Sequence, residues 1–194
     1  MPRTMDREAR KAQLAEAVWQ VILDRGVSAI SIRSVAEQAG VVVGSLRYVF
    51  PTRAELIAFS AELTVQRATE RVLSTPASDD PREYALAIIK NLLPLEPESR
   101  AEMEVNLALF TEHAAVPEIA TIRGHAHRQI ATVSIRVIEM LTGAASTPEA
   151  IAAARRVHAL IDGLALHILH QPLEEDCAWA IDLMWNELDH IGAP

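Results

Sequence analysis

Arg47 and Tyr48 follow the small residues Gly44 and Ser45 in the stretch GVVVGSLRYVF, residues 40–50. A guanidinium makes paired hydrogen bonds to a planar acceptor edge, and a phenol adds a single donor. Such groups recognise a partner; they do not by themselves break bonds. The three valines ahead of them fall far short of the ~20 apolar residues that span a bilayer, so the run serves packing or contact.

Patterns that support catalysis are missing from the sequence. There is no G-x-S-x-G elbow, no phosphate-cradling glycine loop and no dinucleotide fingerprint. Of the seven histidines, His167 and His170 share a helical face, but no H-E-x-x-H accompanies them, and two histidines alone do not make a metal site. The expectation is a protein with no catalytic residues, no metal and no cofactor.

The 194 residues, half of them hydrophobic, are enough to bury a real core. Cys177 is the single cysteine, so no internal disulfide forms and a reduced cytoplasm is expected. The N-terminus, MPRTMDREARKAQ, is charged from its third residue and offers no signal-peptide core; no targeting or membrane segment is expected. Internal repeats and low-complexity tracts are absent.

A formal net charge of -8 argues at first against nucleic acid, but binding surfaces are local. Residues 1–60 carry eight Lys/Arg against six Asp/Glu, whereas residues 61–194 carry ten against twenty. Arg3, Arg7, Arg10 and Lys11 crowd the N-terminus, and Arg33, Arg47 and Arg53 flank the opening stretch. A DNA contact suits that clustering, and so does a solvated, salt-bridged helix face.

Helical periodicity supplies the elements that position these groups. Leu14, Ala17, Val18, Val21 and Ile22 define a first helix stopped at Gly26. Ser31 caps a short second helix, with Val35 and Ala36 inward and Gly40 closing it. A third short helix follows from Val42 to Phe50, anchored by Val41, Leu46 and Phe50. Thr52 and Glu55 form a T-x-x-E capping box that opens a long fourth helix to about Ser74. PASDDP, residues 76–81, is a polar break. Beyond it, helices are expected over 97–115, from Pro117 through Leu141, over 149–170 and over 174–191. No alternating strand pattern occurs, so the fold class is all-α with about nine helices. Two short helices around a glycine turn, after a longer supporting helix, describe a helix-turn-helix. Its second short helix would read the major groove with Val43, Gly44, Ser45, Arg47 and Tyr48.

The segments AEAVWQVILDRG and SAISIRSVAEQAGVVVGSLRYVFPTRAEL resemble the TetR family of bacterial transcriptional regulators over residues 7–60. They share a hydroxyl cap, an apolar stripe, AGV, a small-residue pair, an aromatic cluster ending in phenylalanine, and a basic residue before an acidic-leucine pair. NLLPLEPESRAEMEV and ALIDGLALH look like the regulatory domain of that family's BetI-like branch. The resemblance implies a helix-turn-helix domain over 1–52 and a helical regulatory and dimerisation domain over 53–194. It further implies that Arg33 reaches bases or phosphate, that Val43, Ser45, Arg47 and Tyr48 contact operator DNA, and that Thr52 and Arg53 touch phosphate at a helix N-terminus. Two departures stand out. Val42 replaces the usual serine, removing a side-chain cap that typically contributes about 1 kcal/mol, and Arg47 stands where tyrosine is commonest.

A regulator must couple that face to an effector and to a second subunit. Glu102, Asn106, Leu109 and His113 fall on one helical stripe beside Met103, Leu107 and Phe110, an apolar surface with a few polar groups suited to a small molecule. Met103, Asn106, Phe110, His113, His127 and Ser134 are the candidate effector residues, against the alternative of a solvent-facing stripe. Val157, Ile161, Leu164 and Ile168 on one helix, and Ala178, Ile181, Trp185 and Leu188 on the next, are candidates for a homodimer's four-helix bundle, against simple packing within one chain. Gly163 suggests a close helix approach. The functional expectation is a ligand-responsive DNA-binding regulator, a cytoplasmic repressor released from double-stranded operator DNA by a small-molecule effector. The alternative is a helical carrier or interaction protein that binds no specific DNA.

Overall fold

The computed structural model describes residues 2–144, 146–172 and 174–192, with side chains from residue 9 onward. Nine α-helices and two short 3-10 turns account for its secondary structure, with no strand among the described residues, as the periodicity predicts. Two compact units divide the chain, Met1–Arg67 with Ala101–Gly124 and Ala68–Arg100 with His125–Pro194.

In the first unit, α1 (Pro2–Arg25) buries Leu14, Ala17, Val18, Val21 and Ile22, the stripe that helical spacing predicts, and Ala15 beside them. Gly26 ends it with φ 79°, a left-handed conformation that costs glycine nothing. A 3-10 turn, Val27–Ala29, leads to α2 (Ile32–Gln38). Ser31 and Ser34 cap α2 reciprocally, each hydroxyl accepting from the other's backbone N–H at 3.0 and 2.9 Å. The Ser34 hydroxyl donates onward to the Ala29 carbonyl at 2.7 Å, fixing the turn against the helix.

α2 stops in a Schellman turn. Gly40, at φ 64°, donates to the Glu37 carbonyl at 3.1 Å, and Val41 donates to that of Ala36 at 2.9 Å. This turn aims α3 (Val43–Val49), whose Leu46 is fully buried, with Phe50 buried just beyond it. α4 (Arg53–Leu73) opens on half of the expected capping box. The Thr52 hydroxyl accepts from the Glu55 N–H and donates to its carboxylate, each at 3.1 Å, so Glu55 bonds to the hydroxyl instead of the Thr52 backbone. The indole of Trp19 donates to the Ser60 carbonyl at 3.2 Å, tying α1 to α4. α6 (Pro97–Phe110) adds Val105 and Leu109 to this core.

The second unit contains α5 (Pro81–Lys90), α8 (Pro148–Leu169), α9 (Ala178–Gly192) and the C-terminal part of α7 (Glu118–Thr142). Asp80 caps α5 and Thr147 caps α8, both followed by proline at the first helical position. Arg100 donates to the Ile168 and Gln171 carbonyls at 2.8 and 2.6 Å, placing a cation at the C-terminal end of α8, where the Ile168 carbonyl also accepts from the Gln171 N–H at 3.1 Å. α9 starts four residues later than the spacing predicts. Asp176 accepts from the Ala178 N–H at 2.8 Å, so the acidic segment after Pro172 supplies the cap instead of the first turn. Leu173 lies outside the described residues.

Candidate nucleic-acid interface

The outward face of α3 is built by subtraction. Leu46 and Phe50 take the inward positions, and Val41 is half-buried beneath them. Every remaining residue proposed to read DNA from this helix, Val43, Gly44, Ser45, Arg47 and Tyr48, is exposed. Val42 is 73% exposed and Tyr48 84%, so both side chains stand free of the core. Val42 makes no side-chain cap bond, so the first α3 amides stay available at an open helix end. Gly44 faces open space, since a Cβ there would meet no atom within 4 Å. Arg33 on α2 and Thr52 before α4 are exposed as well.

Arg53 is the exception. Its Nε donates to the Ile30 carbonyl at 2.9 Å and its Nη1 pairs with Glu112 at 2.8 Å. The guanidinium therefore holds the segment before α2 to the 3-10 turn Thr111–Ala114 beyond α6. The expected phosphate contact competes with these two bonds, and a positioning role fits the geometry better.

The candidate effector residues separate. Met103, Asn106 and Phe110 are half-buried on α6, and the Arg123 guanidinium lies 5.7 Å from the Phe110 ring centroid. His113 departs from the expected stripe because α6 ends at Phe110. It sits exposed in the following 3-10 turn with Nδ1 at 3.0 Å from the Phe110 carbonyl. These four belong to the first unit, whereas His127 and Ser134 belong to the second. Ser134 is buried and donates to the Ile130 carbonyl at 2.9 Å, which satisfies its hydroxyl. His127 is exposed and packs its ring on His158, centroids 4.6 Å apart. Burial is the largest influence on the His158 imidazole and pushes its pKa below the ordinary value; the Asp162 carboxylate pulls the other way, and His127 reinforces the fall. A separate open cavity of about 230 Å³ in the second unit is lined by Arg71, Lys90, Asn91, Leu93, Leu95, Glu96, Glu98 and Ser99, none of them anticipated from sequence.

The dimer stripe needs correction. Val157, Ile161, Leu164 and Ile168 on α8, and Leu188 on α9, are buried within the single chain and belong to its own core. Ile181 is half-buried, Trp185 lies beneath Arg82 at 5.4 Å, and Ala178 is exposed. The apolar surface these helices turn outward is Ile151, Leu166, Trp179 and Leu183. An apolar period identifies the face that packs, and here the chain's own helices fill it. The close approach expected at Gly163 is not made within the chain, because a Cβ there would meet nothing within 4 Å. His167 sets its ring edge-on to Trp179 with centroids 6.4 Å apart, and His170 holds its Nδ1 at 2.7 Å from the Leu166 carbonyl.

A capped α2, a glycine turn and a short α3 with one side anchored and the other bare define a helix-turn-helix DNA-binding protein with a helical regulatory region. Residues 81–192 match the family of BetI-type transcriptional repressor C-terminal domains, and the chain belongs to the TetR family of transcriptional regulators. It is a ligand-responsive DNA-binding regulator. It is similar to the HTH-type transcriptional regulator PksA of Bacillus subtilis (strain 168), 35% identical over 177 residues that cover 89% of this chain and 85% of PksA. BetI of Stenotrophomonas maltophilia (strain R551-3) is 26% identical over 169 residues, 86% of this chain and 84% of BetI. Among solved structures, a transcriptional regulator from Rhodococcus sp. Rha1 superposes with a TM-score of 0.79 at 29% identity, covering 93% of this chain and 95% of that one. A regulator from Saccharomonospora viridis in complex with choline gives 0.73 at 25% identity, covering 94% and 95%. No helix of the described residues is long and apolar enough to cross a membrane.

Proposed function

We propose that the protein is a cytoplasmic repressor without catalytic activity, binding its operator as a homodimer and releasing it when a small molecule occupies the regulatory region. The observation that carries this reading is the bare face of α3, where Arg47 and Tyr48 stand exposed above buried Leu46 and Phe50. In the proposal Arg47 makes a paired contact to a guanine edge, Val43 packs on a thymine methyl, Gly44 and Ser45 permit close approach, and Tyr48, Arg33 and Thr52 hold phosphates. The DNA-binding domain comprises residues 1–52 and the regulatory domain 53–194. The dimer forms through the outward apolar surface of α8 and α9, with Leu166 and Leu183 at its centre.

Coupling follows the first unit's own bonds. The effector is held by Met103, Asn106, Phe110 and His113, next to Glu112, whose carboxylate reaches Arg53 and through it the start of α2. Displacing that turn withdraws the restraint on the helix-turn-helix. A dimer that reads successive major grooves needs its recognition helices about 34–36 Å apart, so loss of a fixed orientation lowers operator affinity. By linkage, DNA weakens effector binding by the same factor.

The test is retention of a fragment of the protein's own promoter in a gel, with choline, the ligand of the Saccharomonospora relative, as the first compound added and native mass spectrometry to find any co-purified molecule. Phe110→Ala should impair the response to effector more than DNA binding. Failure to retain the promoter fragment in preference to a scrambled one would favour the helical carrier instead.

A further inference from the structure

We propose that His127, His158 and Asp162 form a binding site for one divalent transition-metal ion of the zinc class, joining α7 to α8. The three side chains offer two imidazole nitrogens and one carboxylate oxygen, all within 4.8 Å of one another. Two nitrogens and an oxygen are a donor set that Zn²⁺ accepts readily, with a further position left for water or an exogenous ligand.

The geometry around His158 separates this cluster from an ordinary polar contact. The residue is 8% exposed, and its Nε2 is buried without a hydrogen-bond partner among the described residues. That nitrogen lies 3.6 Å from the Asp162 Oδ2. Such a separation is too long for a hydrogen bond. It is close to what two donors adopt on one ion, since ligands about 2.0–2.2 Å from a tetrahedral Zn²⁺ stand roughly 3.5 Å apart. A buried ring nitrogen with no partner is otherwise disfavoured, and a metal bond would satisfy it.

The scaffold suits the assignment. His158 and Asp162 are four residues apart on α8, one turn along one face. His127 comes from α7, its ring tilted 38° to that of His158 with the centroids 4.6 Å apart. His127 and Asp162 are both exposed, so their side chains can close on an ion while His158 supplies the fixed, buried ligand. One carboxylate and two neutral imidazoles leave a divalent ion with a residual positive charge, which favours an anionic or water ligand at the open position. None of the three residues belongs to the proposed DNA face.

The experiment is calorimetric titration of chelator-stripped, full-length protein with Zn²⁺, with Co²⁺ absorption as a probe of coordination. One ion per chain is expected in the wild type. His127→Ala and Asp162→Asn, both at exposed positions, should each weaken binding about tenfold or more and alter the Co²⁺ spectrum, while circular dichroism confirms an intact fold. His167→Ala should leave binding unchanged. Absence of Zn²⁺ binding to the wild type, or unchanged affinity in both His127→Ala and Asp162→Asn, would overturn the site; loss of binding in His167→Ala instead would assign the metal to the His167 and His170 pair.

Discussion

α3 and α8 present apolar residues to opposite ends. α3 has seven residues, of which Leu46 alone is buried, so valine and tyrosine side chains remain in solvent. α8 has 22 residues and buries nine of them, including the whole stripe from Val157 to Ile168. A short helix against one neighbour can pack only one side, and its other side is legible from sequence as a contact surface. A long helix among several neighbours can hide its strongest stripe in its own chain, and the apolar surface it leaves outward is then the weaker one, Leu166 with Ile151.

The contrast breaks most severely if a buried α8 residue can be removed without harm. Ile161→Ala should destabilise the chain by about 2–5 kcal/mol through lost burial and a residual cavity, measured by urea denaturation. A variant that folded normally but became monomeric would show that the stripe faces a partner after all. The outward surface should behave in reverse. Leu166→Glu combined with Leu183→Glu should shift sedimentation toward monomer with little change in the stability of the chain itself, and an unchanged oligomeric state would remove these residues from the interface.

Glu112→Gln probes the coupling bonds. Replacing the Arg53 ion pair with a neutral hydrogen bond weakens the restraint that the effector is proposed to release, so it should lower effector-free operator affinity severalfold and leave less for the effector to remove; unchanged operator affinity with a full effector response would leave Arg53 with a purely local role. The smallest effect is expected at Gly44. Because a Cβ there meets open space, Gly44→Ala should stabilise the free protein by up to about 1 kcal/mol through helix propensity while weakening operator binding. Stabilisation with no loss of DNA binding would mean that nothing approaches this face closely.

Much of the DNA-binding unit was legible because its signals are local. Ser31, Gly40, Leu46 and Thr52 each act within four residues of their partners, and the helix-turn-helix follows from them in order. What escaped depends on distance along the chain. The pairing of Arg53 with Glu112 joins positions 59 residues apart, so an arginine that reads as a phosphate ligand is occupied inside the fold. The approach of His127 to His158 likewise leaves no spacing signal, although His158 and Asp162 share one helical turn. His113 leaves the helical stripe for a different reason, the change from α-helix to a 3-10 turn after Phe110, which no breaker residue announces.

In the proposed function, α3 reads DNA with Arg47. Titrating a labelled promoter fragment with wild-type protein and with Arg47→Ala, across a series of salt concentrations and against a scrambled fragment, tests it most directly. The expected result is preference for the promoter, a log affinity that falls linearly with log salt, and a loss of about 1–3 kcal/mol in the variant confined to the promoter fragment, with its fold and oligomeric state intact. Equal binding by wild type and variant, or equal binding of promoter and scrambled DNA, would contradict it.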